Sequence, residues 1–569
     1  MTFLPQSNNR SSLPPSLLAI LFIGLVLRIW GIQFGLPDLY HADEPIVVNH
    51  ALAYGTGDFN PHFFKIPPLV SYFLFLVYGL YYVLARTAGW IHGTNEFASL
   101  FFSHPASFYL LARLVFGALL GTAAVFLLFR LAERIYSRQT GLLASWFFAT
   151  AFLAVRDAHY IYADIPLLFV LVALFFILLK IAERGGNKDY LCFGIWLGIA
   201  VATKYNGVFI LAPFLAAHFL RRGFKLSSFF DFKPASSALV SILVFALLNP
   251  FGALDPRSFF RELFGQGRAE GWVGLTHHLT YSLAGGLGIP LLALSCLGFF
   301  GLRDAPKKEP WLLASFVAVY YLVLCFFSQH YDRYVLPLLP FLCIFAGAAL
   351  VRFKKQLKIS ESALWLIAVL IVSPSLAKVY LSDQLFMRKD IRTVAREWVE
   401  SSVPEGTKIA LDVPFFMPRL KPSLEQMAEK KKEALSENPA DRAKAKRIDW
   451  MTEAIKKNQR SNYELYFLSK EEDQTGFLFA RPKVPYDISQ LKRMGIQYVV
   501  VTKINQEREA QFFEQLQGNA DLVARFTPYR NPHRKWAIDP EPLTGGPFLW
   551  SELVARERNG QIIEVYKLN

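Results

Sequence analysis

The chain has 569 residues, 53% of them hydrophobic and 15% aromatic, with a mean hydropathy of +0.29. That balance excludes an ordinary soluble globular protein and points to a polytopic membrane protein. The formal charge is +15, but the excess lies in short loops between apolar stretches, where the positive-inside rule puts it, so nucleic acid is not read as a partner. Four cysteines (Cys192, Cys296, Cys325 and Cys343) sit in apolar stretches with no CxxC spacing, which argues against a metal or disulfide framework.

An apolar stretch from Leu17 to Leu36 opens the chain. It is long, no small-residue cleavage site clearly follows it, and it reads as a retained anchor rather than a signal peptide. Just beyond it come Tyr40-His41-Ala42-Asp43-Glu44-Pro45, Gly57-Asp58-Phe59-Asn60-Pro61 and Lys65-Ile66-Pro67-Pro68-Leu69. Basic clusters then set the topology. They are Arg130/Arg134/Arg138, Lys180/Arg184/Lys188, Arg221/Arg222/Lys225/Lys233, Arg303/Lys307/Lys308 and Arg352/Lys354/Lys355/Lys358. All face the cytoplasm if an even number of spans separates each from the next. Spans at 17–36, 108–130, 141–157, 164–182, 190–204, 206–220, 236–252, 281–301, 311–327, 334–351 and 361–380 meet that condition. Residues 67–85 are nearly long enough to cross a bilayer core of about 30 Å. Counted as a span, however, they would put Arg130–Arg138 outside. They are expected instead as a juxtamembrane helix at the outer leaflet, started by Pro67-Pro68.

The expected architecture is therefore a polytopic α-helical membrane domain at 1–381 with about eleven spans. Its first outer loop is long, 37–107, and carries juxtamembrane helices; a small second loop lies near His159–Asp164 and a larger one at 253–280. Residues 382–569 follow the last exit as an extracytoplasmic soluble α/β domain. Helix signals occur at 390–402, and a polar Lys/Glu/Ala-rich run fills 421–459. Strand signals occur at Lys408–Leu411, Tyr463–Leu468, Gln497–Val501 and Ile562–Tyr566.

Residues suited to chemistry gather in the expected outer loops. Asp43 and Glu44 are consecutive and do not share a face, so they cannot both act on one atom. One would do chemistry while the other holds the loop; the plain alternative is a helix N-terminal pair. Lys65 is either an interfacial anchor or a point charge on a phosphate. Asp164 opens a span, where a helix cap competes with a functional role. Lys204-Tyr205-Asn206 turns between two spans. His330-Tyr331-Asp332-Arg333-Tyr334 forms a polar, aromatic knot against another. Arg333 suits a forked grip on phosphate oxygens or an ion pair with Asp332 or another loop carboxylate. Arg28 and Arg113 lie in or near spans and read first as structural, with Glu44 or Asp43 as partner. His277 and His278 are adjacent, a poor arrangement for chelating one ion. A divalent metal held with His41 or Glu44 stays open, and no other cofactor is indicated.

In this order and spacing, the motifs over residues 15–380 resemble the GT-C superfamily of polyprenyl-phosphate-dependent glycosyltransferases. The nearest likenesses are the protein O-mannosyltransferase family (glycosyltransferase family 39-like) and the lipid A aminoarabinose transferase family. Asp43-Glu44 resembles the family's first-loop acidic motif, and Gly57-Asp58-Phe59 with Pro61 its Gly-Asp-aromatic stretch. Lys65-Ile66-Pro67-Pro68-Leu69 is similar to its Lys-Pro-Pro-Leu segment with Ile inserted. Ala112-Arg113-Leu114 opens the second span as in the family, Asp164-Ile-Pro-Leu resembles the second-loop acidic motif, and Arg333-Tyr334-Val335-Leu336-Pro337 its late Tyr-Leu-Pro segment. Arg392 to Trp398, Val403 to Ile409 and Gly495 to Val501 are similar to the tails of bacterial members.

The resemblance implies an inverting transfer of a sugar from a polyprenyl phosphate to a hydroxyl of a lipid, glycan or protein acceptor, outside a bacterial inner membrane. It implies Asp43 as base, with Glu44 and Asp164 as the other candidate catalytic carboxylates. Lys65, Arg333, Tyr331, Tyr334 and Lys204 would hold the donor phosphate, and His41 and Arg113 complete the candidate substrate-binding set. A transporter or flippase of lipid-linked saccharides is the rival, since it too needs many spans and cationic outer-leaflet residues.

Overall fold

The computed structural model describes residues 13–265, 273–304, 307–327, 329–412, 416–437, 442–457, 460–469, 482–534 and 546–569. They form two compact units. The first takes in the chain up to Trp30, Pro61–Val70 and Leu114–Val379; the second takes in Gly31–Asn60, Ser71–Arg113 and Tyr380–Asn569.

The first unit is helical. Among the described residues of the whole chain, six helices are long and apolar enough to cross a membrane, or up to eight if each of two sharply bent pairs is one span. Pro15–Ile29 and Pro310–Leu324 are apolar but shorter. The expectation of about eleven spans also counted such short pieces. Asp164–Glu183 and Asp332–Leu357 are the most enclosed, with 83% and 89% of their apolar windows buried. Being apolar on every side, they suit the centre of a bundle rather than its rim. The helix Asn187–Thr203 packs on Phe232–Leu248 through Gly194 and Gly198, four residues apart. A Cβ at Gly194 would lie 2.5 Å from the Ser237 carbonyl oxygen, and one at Gly198 would lie 2.7 Å from Val244 Cβ. Small residues at this spacing let two membrane helices approach closely.

Leu69–Thr87, expected as juxtamembrane, forms a 19-residue helix that passes the length and composition test for a span. Only 28% of its window is buried.

The second unit combines helices of the 31–113 stretch with a mixed sheet. Glu44–Ala53, Thr94–Ser103 and Ala106–Arg113 belong to it. The strands are β1 Lys408–Leu411, β2 Lys421–Pro422, β3 Asn462–Leu468, β4 Lys483–Val484, β5 Tyr498–Thr502, β6 Ala520–Phe526 and β7 Ile563–Leu568. Their order is β2-β3-β1-β5-β7-β6, with β4 beside β3. β1 runs parallel to β3 and β5, while β7 is antiparallel to β5 and β6. Ile391, Ala395 and Val399 of the helix Ile391–Ser402 pack on Ile409, Leu411, Val500 and Val565. Phe512, Phe513 and Leu516 join Ala410, Val499 and Val501 in a second apolar cluster. The C-terminal α/β region is therefore as expected in kind. The Lys/Glu-rich run folds into helices Leu424–Glu437 and Arg442–Lys457, and the second packs on Thr94–Ser103, with Trp450 stacked on Phe102 at 6.1 Å.

Candidate functional site

The candidate residues fall into two clusters, one in each unit. In the second unit, Asp43 stands immediately before the helix Glu44–Ala53, which Pro45 helps to start. Its carboxylate does not cap that helix. Its backbone N–H donates to His41 Nδ1 at 3.2 Å, so a nearly buried imidazole sets the direction of the chain at Asp43. Glu44 is different. Its side chain and that of Arg113 are fully buried and form a fork, Nε to Oε1 at 2.8 Å and Nη2 to Oε2 at 2.6 Å. Arg113 Nη1 also donates to the carbonyls of Ile32 and Phe34, at 2.7 and 2.8 Å. Glu44 therefore holds the loop, and Arg113 is committed to it through a planar, multiply bonded contact that a lysine could not reproduce.

In the first unit, Asp164, Lys204, Tyr331, Arg333 and Tyr334 come together. Asp164 begins the helix Asp164–Glu183, is 4% exposed and accepts from Lys204 Nζ at 2.6 Å. Lys204 leaves the helix Asn187–Thr203 in extended backbone, which turns its ammonium over the Tyr334 ring, 5.2 Å from the centroid. Tyr331 meets Tyr334 edge to face at 5.3 Å. Arg333 donates to the Tyr162 hydroxyl at 2.6 Å, and its guanidinium lies over the rings of Tyr162 and Tyr331, at 4.6 and 5.1 Å. Asp332 is fully buried and takes Arg156 Nη1 at 2.7 Å, while Arg156 also reaches Asp157 at 3.2 Å. The placement of Arg333 over two tyrosine rings is a face-on arrangement that favours a cation.

Lys65 lies in the same unit, exposed, on a segment pinned at its neighbour Phe64. The Phe64 N–H donates to Glu262 at 2.7 Å, and the Phe64 carbonyl accepts from the Tyr205 hydroxyl, also at 2.7 Å. Tyr205 follows Lys204 directly, so two of the expected cations are carried on segments tied to each other. Tyr162 and Glu262 were not singled out from the sequence. Tyr162 stands two residues before Asp164 in Tyr160-Ile161-Tyr162-Ala163-Asp164, and that short aromatic run was the signal available.

His277, His278 and His330 form an aromatic cluster with centroid separations of 5.4 to 5.7 Å, and His278 Nδ1 is 3.0 Å from the Ser282 hydroxyl. Among the described residues no group of three or more His, Cys, Asp or Glu is disposed to hold a metal ion.

The described residues thus combine long apolar helices, cations stacked on tyrosines, a buried Glu44–Arg113 fork and a mixed sheet. Residues 97–249 match the family model described as dolichyl-phosphate-mannose-protein mannosyltransferase. The chain shares its fold with ArnT from Cupriavidus metallidurans bound to undecaprenyl phosphate, at a TM-score of 0.51 and 12% identity. That match covers 97% of this chain and 98% of the other. The apo state of the same protein matches at TM-score 0.50 and 13% identity, covering 90% and 96%. The oligosaccharyltransferase of Archaeoglobus fulgidus in the apo form is similar at TM-score 0.46 and 11% identity, covering 86% and 69%. A search of curated protein sequences returns no match. The family match over residues 97–249 and the shared fold agree with the resemblance read from the motifs, and the long apolar helices fit a membrane protein.

Proposed function

We propose that the protein is an integral-membrane glycosyltransferase that moves a sugar from a polyprenyl phosphate to a hydroxyl acceptor, on the outer face of the membrane and with inversion. The observation that carries this reading is the convergence of Lys204, Arg333, Tyr331 and Tyr334 around Asp164. An aromatic-backed pair of cations suits an anionic leaving group in a site poor in water. The family match at residues 97–249 supports the donor class.

In this reading the acceptor oxygen attacks the anomeric carbon as the bond from that carbon to the phosphate oxygen breaks. The electron pair leaves with the polyprenyl phosphate, and the acceptor proton passes to Asp43. Lys65 and Arg333 take up the charge growing on the phosphate; Lys204, Tyr331 and Tyr334 complete its surroundings, and Asp164 orients Lys204. Arg113 acts through Glu44, and His41 sets the backbone at Asp43. The residues from 382 onward are extracytoplasmic, and the membrane is a bacterial inner membrane.

The test uses full-length protein in lipid vesicles with polyprenyl-phosphate sugars labelled in the sugar. The expected result is label on the acceptor in the opposite anomeric configuration, with one polyprenyl phosphate freed per transfer. Label that crosses the bilayer still attached to its lipid, with no acceptor product, would replace this reading with a flippase or transporter.

A further inference from the structure

The C-terminal region grips the loop that carries Asp43, and it does so within one compact unit. Asp390 caps the helix Ile391–Ser402 by accepting from the Arg392 N–H at 2.9 Å, and it also holds the Arg392 guanidinium through two bonds of 2.7 Å. Fixed in this way, Arg392 donates to the Tyr40 carbonyl at 3.2 Å and lies 4.0 Å from the centre of the Tyr40 ring. The next residue, Thr393, donates to Asp38 Oδ2 at 3.1 Å and shares a 2.8 Å bond with the Tyr40 hydroxyl, which itself reaches Asp38 at 3.1 Å. Burial and the charge of Asp38 hold the Tyr40 phenol well above its ordinary range, so it stays protonated. Between them Leu39 adopts φ of 60°, a conformation a branched side chain rarely takes. Its carbonyl accepts from Arg419 Nη2 at 3.2 Å. Such a backbone persists only where its surroundings over-determine it.

These contacts end three residues before Asp43. His41 joins the two, since it follows Tyr40 and accepts from the Asp43 N–H. Resting on the reading of Asp43 as the base, we propose that the C-terminal region is a positioning device for Asp43, with Thr393 as its central positioning residue. Arg392, Thr393 and Arg419 carry no role in the reading above, and this gives them one. A general base must sit within hydrogen-bond reach of the proton it takes, so a loop displaced by about 1 Å costs on the order of a hundredfold in rate.

Thr393→Val keeps the shape of the side chain and removes the hydroxyl that ties the helix Ile391–Ser402 to both Asp38 and Tyr40; Thr393→Ser restores it. Two measurements on full-length protein in vesicles decide the matter. The first is hydrogen exchange at residues 39–46. Exchange is expected to rise about tenfold in Thr393→Val and to return in Thr393→Ser, while the sheet stays protected. Unchanged exchange at 39–46 overturns the proposal whether or not sugar transfer is found. The second is kinetic. Thr393→Val is expected to lower kcat about tenfold or more with the donor KM unchanged, and to cost nothing further in an Asp43→Asn background, because the two act as one unit. An unchanged kcat, or an equal loss in both backgrounds, overturns the proposal. Full transfer by Asp43→Asn alone would remove Asp43 as base and leave the exchange result to decide the positioning.

Discussion

The Glu44–Arg113 pair shows what a single buried contact asks of its partners. Two desolvated charges are tolerable here because the fork satisfies both carboxylate oxygens and two backbone carbonyls take the Nη1 protons. Removing one partner strands the other in a site from which water is excluded. Arg113→Ala is therefore expected to cost about 3–5 kcal/mol of stability. The double replacement Glu44→Leu with Arg113→Met should recover more folded protein than either single change. Monodisperse yield after detergent extraction and heating reads both. Arg333 makes a contrasting case. Arg333→Lys keeps the charge but loses the planar stack on Tyr162 and Tyr331 and the bond to the Tyr162 hydroxyl. The expected effect is a rise in donor KM of about tenfold with a smaller change in kcat, measured by steady-state transfer.

At the scale of elements, the short strand β2 carries an expensive residue. Burial and the nearby Arg460 guanidinium lower the Lys421 ammonium to about 8, with Glu400 opposing. The unfolded chain, with an ordinary lysine at 10.5, binds more protons between those two values, so the group's contribution to stability rises with pH across that window. Lys421→Met should therefore raise the apparent Tm most at or below pH 8, and the gain over wild type should shrink as the pH approaches 10.5. Thermal scans of both proteins from pH 7 upward check the sign.

The elements also mark where sequence reasoning reached and where it stopped. Strands expected at Lys408–Leu411, Tyr463–Leu468, Gln497–Val501 and Ile562–Tyr566 appear within two residues of those bounds, because β-branched and aromatic runs between turn residues specify them. β6 was not anticipated. Ala520-Asp521-Leu522-Val523-Ala524-Arg525-Phe526 exposes Leu522 and Val523, lies at the sheet edge and has a register shift, so its alternation is weak. Asp164, Lys204 and the 331–334 knot could be named from their sequence settings. Their meeting could not, since it depends on how three separate helices pack. The same limit hid the Arg156–Asp332 pair, 176 residues apart.

At the scale of the molecule, compactness does not follow chain order. The second unit takes in 31–60 and 71–113 as well as everything from 380 onward, so a boundary drawn at 381/382 describes the sequence better than the packing. That interleaving explains why the C-terminal region has its own grip on the Asp38–Tyr40 segment. It also makes truncation a poor experiment: removal of residues 382–569 would uncover buried Tyr40 and Asp38, which Arg392 and Thr393 contact.

In the proposed reaction Asp43 is the group that takes the acceptor proton. Its most direct test is sugar transfer by purified full-length protein in vesicles, with a panel of polyprenyl-phosphate sugars and a crude envelope acceptor fraction, wild type beside Asp43→Asn. The expected result is donor-dependent transfer by wild type and a loss of about a hundredfold or more in a variant that still folds and binds donor. A wild-type rate in Asp43→Asn would contradict it.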